Sequence, residues 1–519
     1  MAKDTLKVGG VEYSTAEKGY FEKRGLKRSA GLFGLWGLAV AAVISGDFSG
    51  WNFGIDYAGF GGMLIAFVIL IFMYYGLMFS IGEMSSAMPH TGGAYSFARS
   101  AMGPWGGFVT GLAETIEYVA TTAVIVFFSA SYADPIFATL FGVELGEGQT
   151  LLPMWVWWII LYVVFLALNS AGAAISFRFA IVVAIISIAI ILVFSAMAIF
   201  SGQLDFGSLW NIAPDAGQSA FLPHGIVPIL FALPFAMWLF LGIEELPLAA
   251  EESRNPVKDI PRAGLIARTT LIVTGLLVLF LNTALIGAES AGVAGEPLLD
   301  GFKVIVGDQW AAILALFALI GLLASLQGIM FAYGRNMYSL SRAGYYPKFL
   351  SLTGRTKTPW VALIAGAVIG FVALVLVDLL GGASGIAGAI VLNIAVWGAV
   401  IAYVLQMISF IVLRKKFPNA SRPYKSPWGI TGAVIAGVVS VLIFAGFFIN
   451  EPARPAIAAI AVVYVVMLAI FGIWGRKRLV LSPEEEYALS GGLHGDPQKE
   501  ELGGAIEAEI LAGDDAKKS

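Results

Sequence analysis

The chain of 519 residues is 58% hydrophobic and 13% charged, and apolar stretches of about 20 residues, the length that crosses a hydrocarbon core, recur along most of it. Their continuity excludes a soluble single-core domain and a membrane β-barrel, whose strands alternate in segments of about ten residues. The net charge of −4 decides little by its total, the absence of cysteine excludes disulfides and thiolate metal sites, and the dispersed basic residues exclude a nucleic-acid-binding stripe.

In chain order, residues 1–30 form a polar N-terminal segment with no small-residue cleavage pattern after it, so no removable signal peptide is expected. Twelve spans are predicted, starting near Gly31, Gly62, Trp105, Met154, Ser176, His224, Gly264, Trp310, Pro359, Gly385, Gly429 and Pro455. They make one all-α polytopic domain over 31–475, with spans one to five at about 31–201, six to ten at about 223–413 and eleven and twelve at about 429–475. Residues 476–519 are an acidic tail whose composition predicts a mostly disordered segment, with a regulatory helix as the alternative around the apolar patch from Ala505 to Leu511.

Loop charge predicts the orientation. Lys23, Arg24, Lys27, Arg28, Arg99, Arg254, Lys258, Arg262, Arg342, Lys348, Arg414, Lys415, Lys416, Arg476, Lys477 and Arg478 fall on the side of the termini. The opposite loops hold Lys303 and Arg454 and carry the acids Glu144, Glu147, Asp205, Asp215, Glu289 and Glu296. The positive-inside rule then places both termini in the cytoplasm of a multi-pass protein of the inner or plasma membrane.

Two spans carry signals that a continuous helix avoids. In "VISGDFSGWNFG" the first span is interrupted by Ser45, Gly46, Asp47, Ser49 and Gly50, followed by Trp51 and Asn52; in "FALPFAMWLFLGIEELPLAAEE" the sixth holds Pro234, Gly242 and Pro247 with Glu244 and Glu245. Proline removes a backbone donor and glycine tolerates unwound dihedrals, so both segments expose backbone groups that in lipid must face a cavity or a ligand. If spans one and six lead two five-helix repeats of inverted topology, paired breaks mark a transporter's midplane site. Ordinary kinked helices are the alternative.

Asp47, Glu117 in span three and Glu244 have no Lys or Arg in the middle of their spans. An acid at mid-bilayer costs about 2.5 to 3.5 kcal/mol on insertion scales, and an unbalanced acidic pocket suits a cation or shared protons. Asp47 is expected to cap the second half-helix, accepting from the Ser49 or Gly50 N–H. Glu244 is expected to bind an ammonium or carry a coupled proton, with a capping acid as the alternative, and Glu117 shares the ion-coupling expectation. Tyr118, Trp51, Trp238 and Phe240 would offer aromatic faces to a cation, each worth about 0.5 to 2 kcal/mol. Ser325 and Gln327 of span eight would bind a substrate hydroxyl or else pack helices; Asn393 of span ten is a similar candidate.

The Gly-bracketed break together with "PHTGGAYSFARSAMGPWGGF", "AEESRNPVKDIPRA" and "SLSRAGYYPKFLSLTGRTKTPW", in this order, resembles the amino acid/polyamine/organocation permease superfamily. The resemblance implies a leucine-transporter-type fold of ten core helices plus two, substrate held between the breaks, alternating access, and allows a homodimer. In the superfamily's amino acid permeases the first break receives the substrate carboxylate on backbone N–H groups; here Asp47 stands in that element, and "WLFLGIEE" is similar to the gating Trp and acid of arginine/agmatine exchangers. "YFEKRGLKRSAG", "AAVISGDFSGWNFG" and "IEYVATTAVIV" resemble ethanolamine permeases. A small amine cation lacking a carboxylate, ethanolamine first, is the substrate so implied.

No lysine or arginine stands between Phe179 and Ser201, which leaves a span-five lysine mechanism without support; proton, sodium, exchange and uniport remain open. The rival substrates are an amino acid or a polyamine, and the rival class is a cation channel or membrane-embedded sensor. His90, His224 and His494 lie outside spans or near their ends, with no metal-ligand spacing and no nucleophile-base pair, so neither an enzyme nor a resident cofactor or metal is expected.

Overall fold

The computed structural model describes residues 5–8, 10–14, 16, 19–146, 148–381, 386–450 and 454–495. Its helices are α1 (Leu32–Val43), α2 (Phe53–Ala87), α3 (Gly93–Leu140), α4 (Met154–Ser170), α5 (Ala173–Phe200), α6 (Ile229–Trp238), α7 (Pro256–Ile286), α8 (Ala288–Val293), α9 (Pro297–Val306), α10 (Asp308–Arg342), α11 (Trp360–Gly381), α12 (Ile386–Lys416), α13 (Gly429–Ile449), α14 (Arg454–Ile473) and α15 (Pro483–Ser490). Among the described residues ten helices are long and apolar enough to cross a membrane, accompanied by the shorter apolar helices Leu32–Asp47 and Met154–Ser170. Each predicted span falls on one of these, although the start of the tenth at Gly385, like Glu147 and the patch from Ala505 to Leu511, lies outside the described residues.

The layering follows from which helices face lipid. Val182, Val368 and Val465 on α5, α11 and α14 are more than half exposed, the state expected of an apolar residue turned to acyl chains. The sixth span is the opposite case: 89% of its apolar window is buried, against 22% for the window over Ala456–Lys477. The broken helices therefore sit at the centre, where freed backbone groups meet protein instead of hydrocarbon.

Both terminal segments lie on one end of the bundle. Strand β1 (Thr5–Val8) pairs antiparallel with β2 (Val11–Ser14), and β2 pairs parallel with β3 (Leu479–Val480), Tyr13 opposite Leu479. Beneath them the start of α1 is tied to the end of the sixth span by Ser29 N–H and Ala30 N–H donating to the Glu252 carbonyl (2.8 and 2.9 Å) and Arg254 N–H to that of Ala30 (2.8 Å).

Three expectations change here. The stretch from Gly93 read as a loop is helical, running into α3 through a kink at Gly103 (φ 80°), so Arg99 is a buried residue and not a loop charge. Arg342, also counted among loop charges, is fully buried at the end of α10. The acidic tail, read as mostly disordered, is packed from Leu479 through α15, where Glu484, Glu485 and Glu486 are buried and arginines and tyrosines of the bundle reach Glu484 and Glu485.

Candidate functional site: two facing helix breaks

After Val43, α1 tightens into a short 3-10 turn (Ile44–Asp47) and the chain turns before α2 restarts at Phe53. α6 ends at Trp238, and a 3-10 segment, Ile243–Glu252, continues after Gly242. Gly242 has φ 109°, a left-handed conformation that favours glycine, which is why the helix stops there. The two breaks touch. A side chain on Gly46 would bring its Cβ to 2.5 Å from the Trp238 carbonyl oxygen, so only glycine allows this approach. The Trp238 Nε1–H donates to the Ser49 carbonyl at 3.0 Å, joining the breaks directly.

The backbone freed by the first break is occupied by protein partners. Ser45 N–H donates to Ser325 Oγ (2.9 Å), whose hydroxyl donates to the Ala41 carbonyl (2.6 Å). Ser49 N–H donates to the Ser45 carbonyl (3.2 Å) and Gly50 N–H to Asn52 Oδ1 (3.1 Å). The Phe48 carbonyl accepts from the Tyr132 hydroxyl (2.7 Å).

Asp47 does not cap the second half-helix: the N–H groups expected to bind it have the acceptors just named. Its carboxylate points the other way, toward Thr274 and Gly275 of α7, fully buried and with neither oxygen hydrogen-bonded. The reason is local. The 3-10 turn puts Asp47 on the side of α1 that packs against α7, while Asn52, one turn later, has the amide geometry to receive Gly50.

Glu244 caps its own break, both carboxylate oxygens accepting from the Gly242 N–H (3.1 and 3.2 Å). It also lies beside Glu117 and the Tyr403 hydroxyl, which meets the Tyr74 hydroxyl at 3.2 Å. Glu117, Glu244 and Glu245 are buried, and Glu114 near Tyr118 adds another acid on the same face of α3 (Tyr118 hydroxyl to Glu114, 3.4 Å). None of the ion pairs among the described residues involves Asp47, Glu114, Glu117, Glu244 or Glu245. Two neighbouring buried carboxyls without a cation demand shared protons or a positively charged guest.

The remaining expected residues divide. Phe240 packs its ring on Tyr74 and Phe67 (centroids 5.0 and 5.3 Å), within the acidic cluster, and Trp51 is buried beside the break with its indole N–H unpartnered. Gln327 does not face the break: it exchanges two hydrogen bonds with Asn169 of α4 (2.9 and 3.0 Å), a helix-packing pair. Ser325 reaches the break, but its hydroxyl holds backbone of α1. Sequence reasoning missed Tyr74 and Tyr403, polar rings inside apolar spans; their only sequence signal is a phenol with nowhere wet to go. Among the described residues no group of three or more His, Cys, Asp or Glu is arranged to hold a metal ion.

The family model for amino acid permeases matches residues 34–482. The chain belongs to this family. The amino acid permease family is polytopic and all-helical, in keeping with the bundle above, and makes this chain a secondary transporter of the superfamily that the sequence resembles. Among its relatives the permease is 26% identical to an uncharacterized transporter of Rhizobium meliloti over 438 residues (82% of this chain, 88% of the relative). It is 28% identical to the branched-chain amino acid permease BcaP of Bacillus subtilis over 481 residues (89% and 96%), and 24% identical to the methylthioribose transporter of the same organism over 446 (83% and 90%). These names are of transporters and permeases.

Proposed function

We propose that this permease imports a small amine cation without a carboxylate, ethanolamine first, by alternating access around the two breaks, with both termini cytoplasmic as the loop charges argue. The observation that carries this reading is the buried pair of acids at the second break, Glu117 and Glu244, with Asp47 buried at the first; among the described residues no lysine or arginine forms an ion pair with any of them. An ammonium ion fits there on charge alone, with Tyr118, Trp238 and Phe240 as aromatic neighbours. The first break also leaves little to hold a carboxylate: the Ser45, Ser49 and Gly50 N–H groups already have protein acceptors. The coupled ion in this reading is a proton or sodium, with Glu244 and Glu117 as the exchanging groups.

A second reading, an amino acid or polyamine permease, is favoured by relatives named for amino acids, such as the branched-chain permease. The methylthioribose transporter, named for a sugar, shows that names in this family extend past amino acids.

Proteoliposome uptake of labelled ethanolamine, competed by choline, serine, putrescine and arginine and repeated with Asp47→Asn and Glu244→Gln, separates the readings. Competition by choline but not serine is expected, with uptake lost in both variants. Serine competing as well as ethanolamine would place the protein with the amino acid carriers.

A further inference from the structure

Glu484 and Glu485 are carboxylates buried in the end of the bundle that carries both terminal segments. Glu485 accepts from four donors on three segments: the Tyr13 hydroxyl of β2 (2.6 Å), the Tyr95 hydroxyl and Arg99 Nε of α3 (2.7 and 2.5 Å), and the Tyr345 hydroxyl after α10 (2.9 Å). Arg99 Nη2 closes the ring by donating to the Tyr13 hydroxyl (2.6 Å). Glu484 accepts from Arg342 Nη2 (2.6 Å) and the Ser339 hydroxyl (2.8 Å), both on α10. The same short segment reaches α2, through the Tyr487 hydroxyl donating to the Ala87 carbonyl (3.0 Å), and the α2–α3 turn, where His90 Nε2 lies 2.6 Å from the Gly495 carbonyl.

Arg342 is the shared part. Its guanidinium also holds Glu251 at the end of the sixth span (2.9 and 2.6 Å), as Arg335 holds the neighbouring Glu252 (3.1 and 2.9 Å). The sixth span leads directly to the acidic break, so a movement that swings it away from α10 at this end separates Glu251 from Arg342. While Glu484 occupies the same guanidinium, α10, α3, α2 and the sixth span are fastened at one point. Buried ion pairs of this kind hold geometry strictly, because parting one partner strands a charge out of water.

We propose that residues 479–495 are a lock: they must lift from Arg342 and Arg99 before this end of the bundle opens, and their release sets how often it does. The lock rests on the transport reading only for its consequence, a change in flux; its opening is measurable without any substrate. The alternative is a static brace that never leaves.

The native chain has no cysteine, so a single one reports access. Ser96 is buried with its hydroxyl unpartnered, and it neighbours Ser339 across Gly92, directly behind Glu484. The full-length Ser96→Cys protein in nanodiscs is treated with a charged maleimide, alone and combined with Glu484→Gln/Glu485→Gln. A third version combines Ser96→Cys with Arg99→Gln/Glu485→Gln, which leaves no stranded guanidinium and so guards against misfolding; melting is followed for each. Labelling is expected to rise about tenfold or more in the neutralised variants that remain folded, and amine uptake to rise with it. Equal labelling in every folded version would make the segment a brace and overturn the lock. Faster labelling with no ethanolamine taken up by any version, the parent included, would keep the lock and overturn the amine reading.

Discussion

The two ends of the molecule are closed by different chemistry. At the end carrying the terminal segments, guanidinium–carboxylate pairs do the work: Arg335 with Glu252, Arg342 with Glu251 and Glu484, and Arg99 with Glu485, all buried. At the other end the closure is neutral. Asn52 Nδ2 donates to the Ala291 and Ala294 carbonyls (both 2.8 Å) and the Ser49 hydroxyl to that of Gly295 (3.1 Å), so the end of α8 and the residues just after it are laced onto the first break by an amide and a hydroxyl. Neutral bonds to backbone exchange easily with water, whereas a buried charge pair parts only when both partners find water or new partners. On this chemistry the end remote from the termini should be the easier one to open.

The sharpest way to break this comparison is to strand a charge. Arg335→Ala leaves Glu252 buried and unpaired and should destabilise the protein by about 3 to 5 kcal/mol, while Arg335→Met with Glu252→Met should recover most of that loss. Melting of the purified protein reads both, and a mild single mutant would show that the charged end is no tighter than the neutral one. Next in size, Asn52→Ala removes two donors and the acceptor of Gly50 N–H, and should cost about 1 to 3 kcal/mol. Its expected signature is faster labelling of a cysteine placed at Gly295, with labelling at Ser96→Cys unchanged.

A similar loss, about 1 to 3 kcal/mol, is expected when Gln327→Leu orphans the Asn169 amide. Adding Asn169→Leu should restore the melting temperature, because that pair packs helices.

The two ends also differ in their response to pH. Burial works against ionisation of Glu484, but Arg342 overrides it and holds that carboxyl at about 2, so its contribution is complete above about 4.5 and lost only as pH falls toward about 2. At the other end burial pushes Glu296 up to about 7, with Asp300 adding to the shift and Lys303 opposing it. Glu296 therefore stays protonated in the folded protein where the unfolded chain has ionised, and stability should fall as pH rises from about 4.5 to about 7, then level off. Glu296→Gln should remove that slope, and Ser96→Cys labelling, divided by that of a free thiol at the same pH to remove the thiolate dependence, should be flat from about pH 5 to 8.

Much of the fold was legible because hydrophobic length and broken helices are local properties. Pro234, Gly242 and the glycines around Asp47 announce their breaks in a dozen residues each. What was not legible depends on direction or on distant partners. That Asp47 belongs in a break is written in its glycines; that its carboxylate turns to Thr274, leaving Gly50 to Asn52, depends on the phase of one 3-10 turn. Gln327 stayed open between ligand and helix packing because Asn169, far away in sequence, was invisible as its mate. The tail misled most: acids in a polar stretch read as disordered, and only the bundle shows the arginines and tyrosines waiting for them.

The parallel pairing of β2 with β3 has a consequence in time. Tyr13 is synthesised before the spanning helices and Leu479 only after them, yet the two stand side by side. A ribosome that stalls or a message that is cut short just after the last span would leave a bundle whose spanning helices are all present and whose closing strand is missing. Sealing of that end therefore waits for a segment made after every spanning helix.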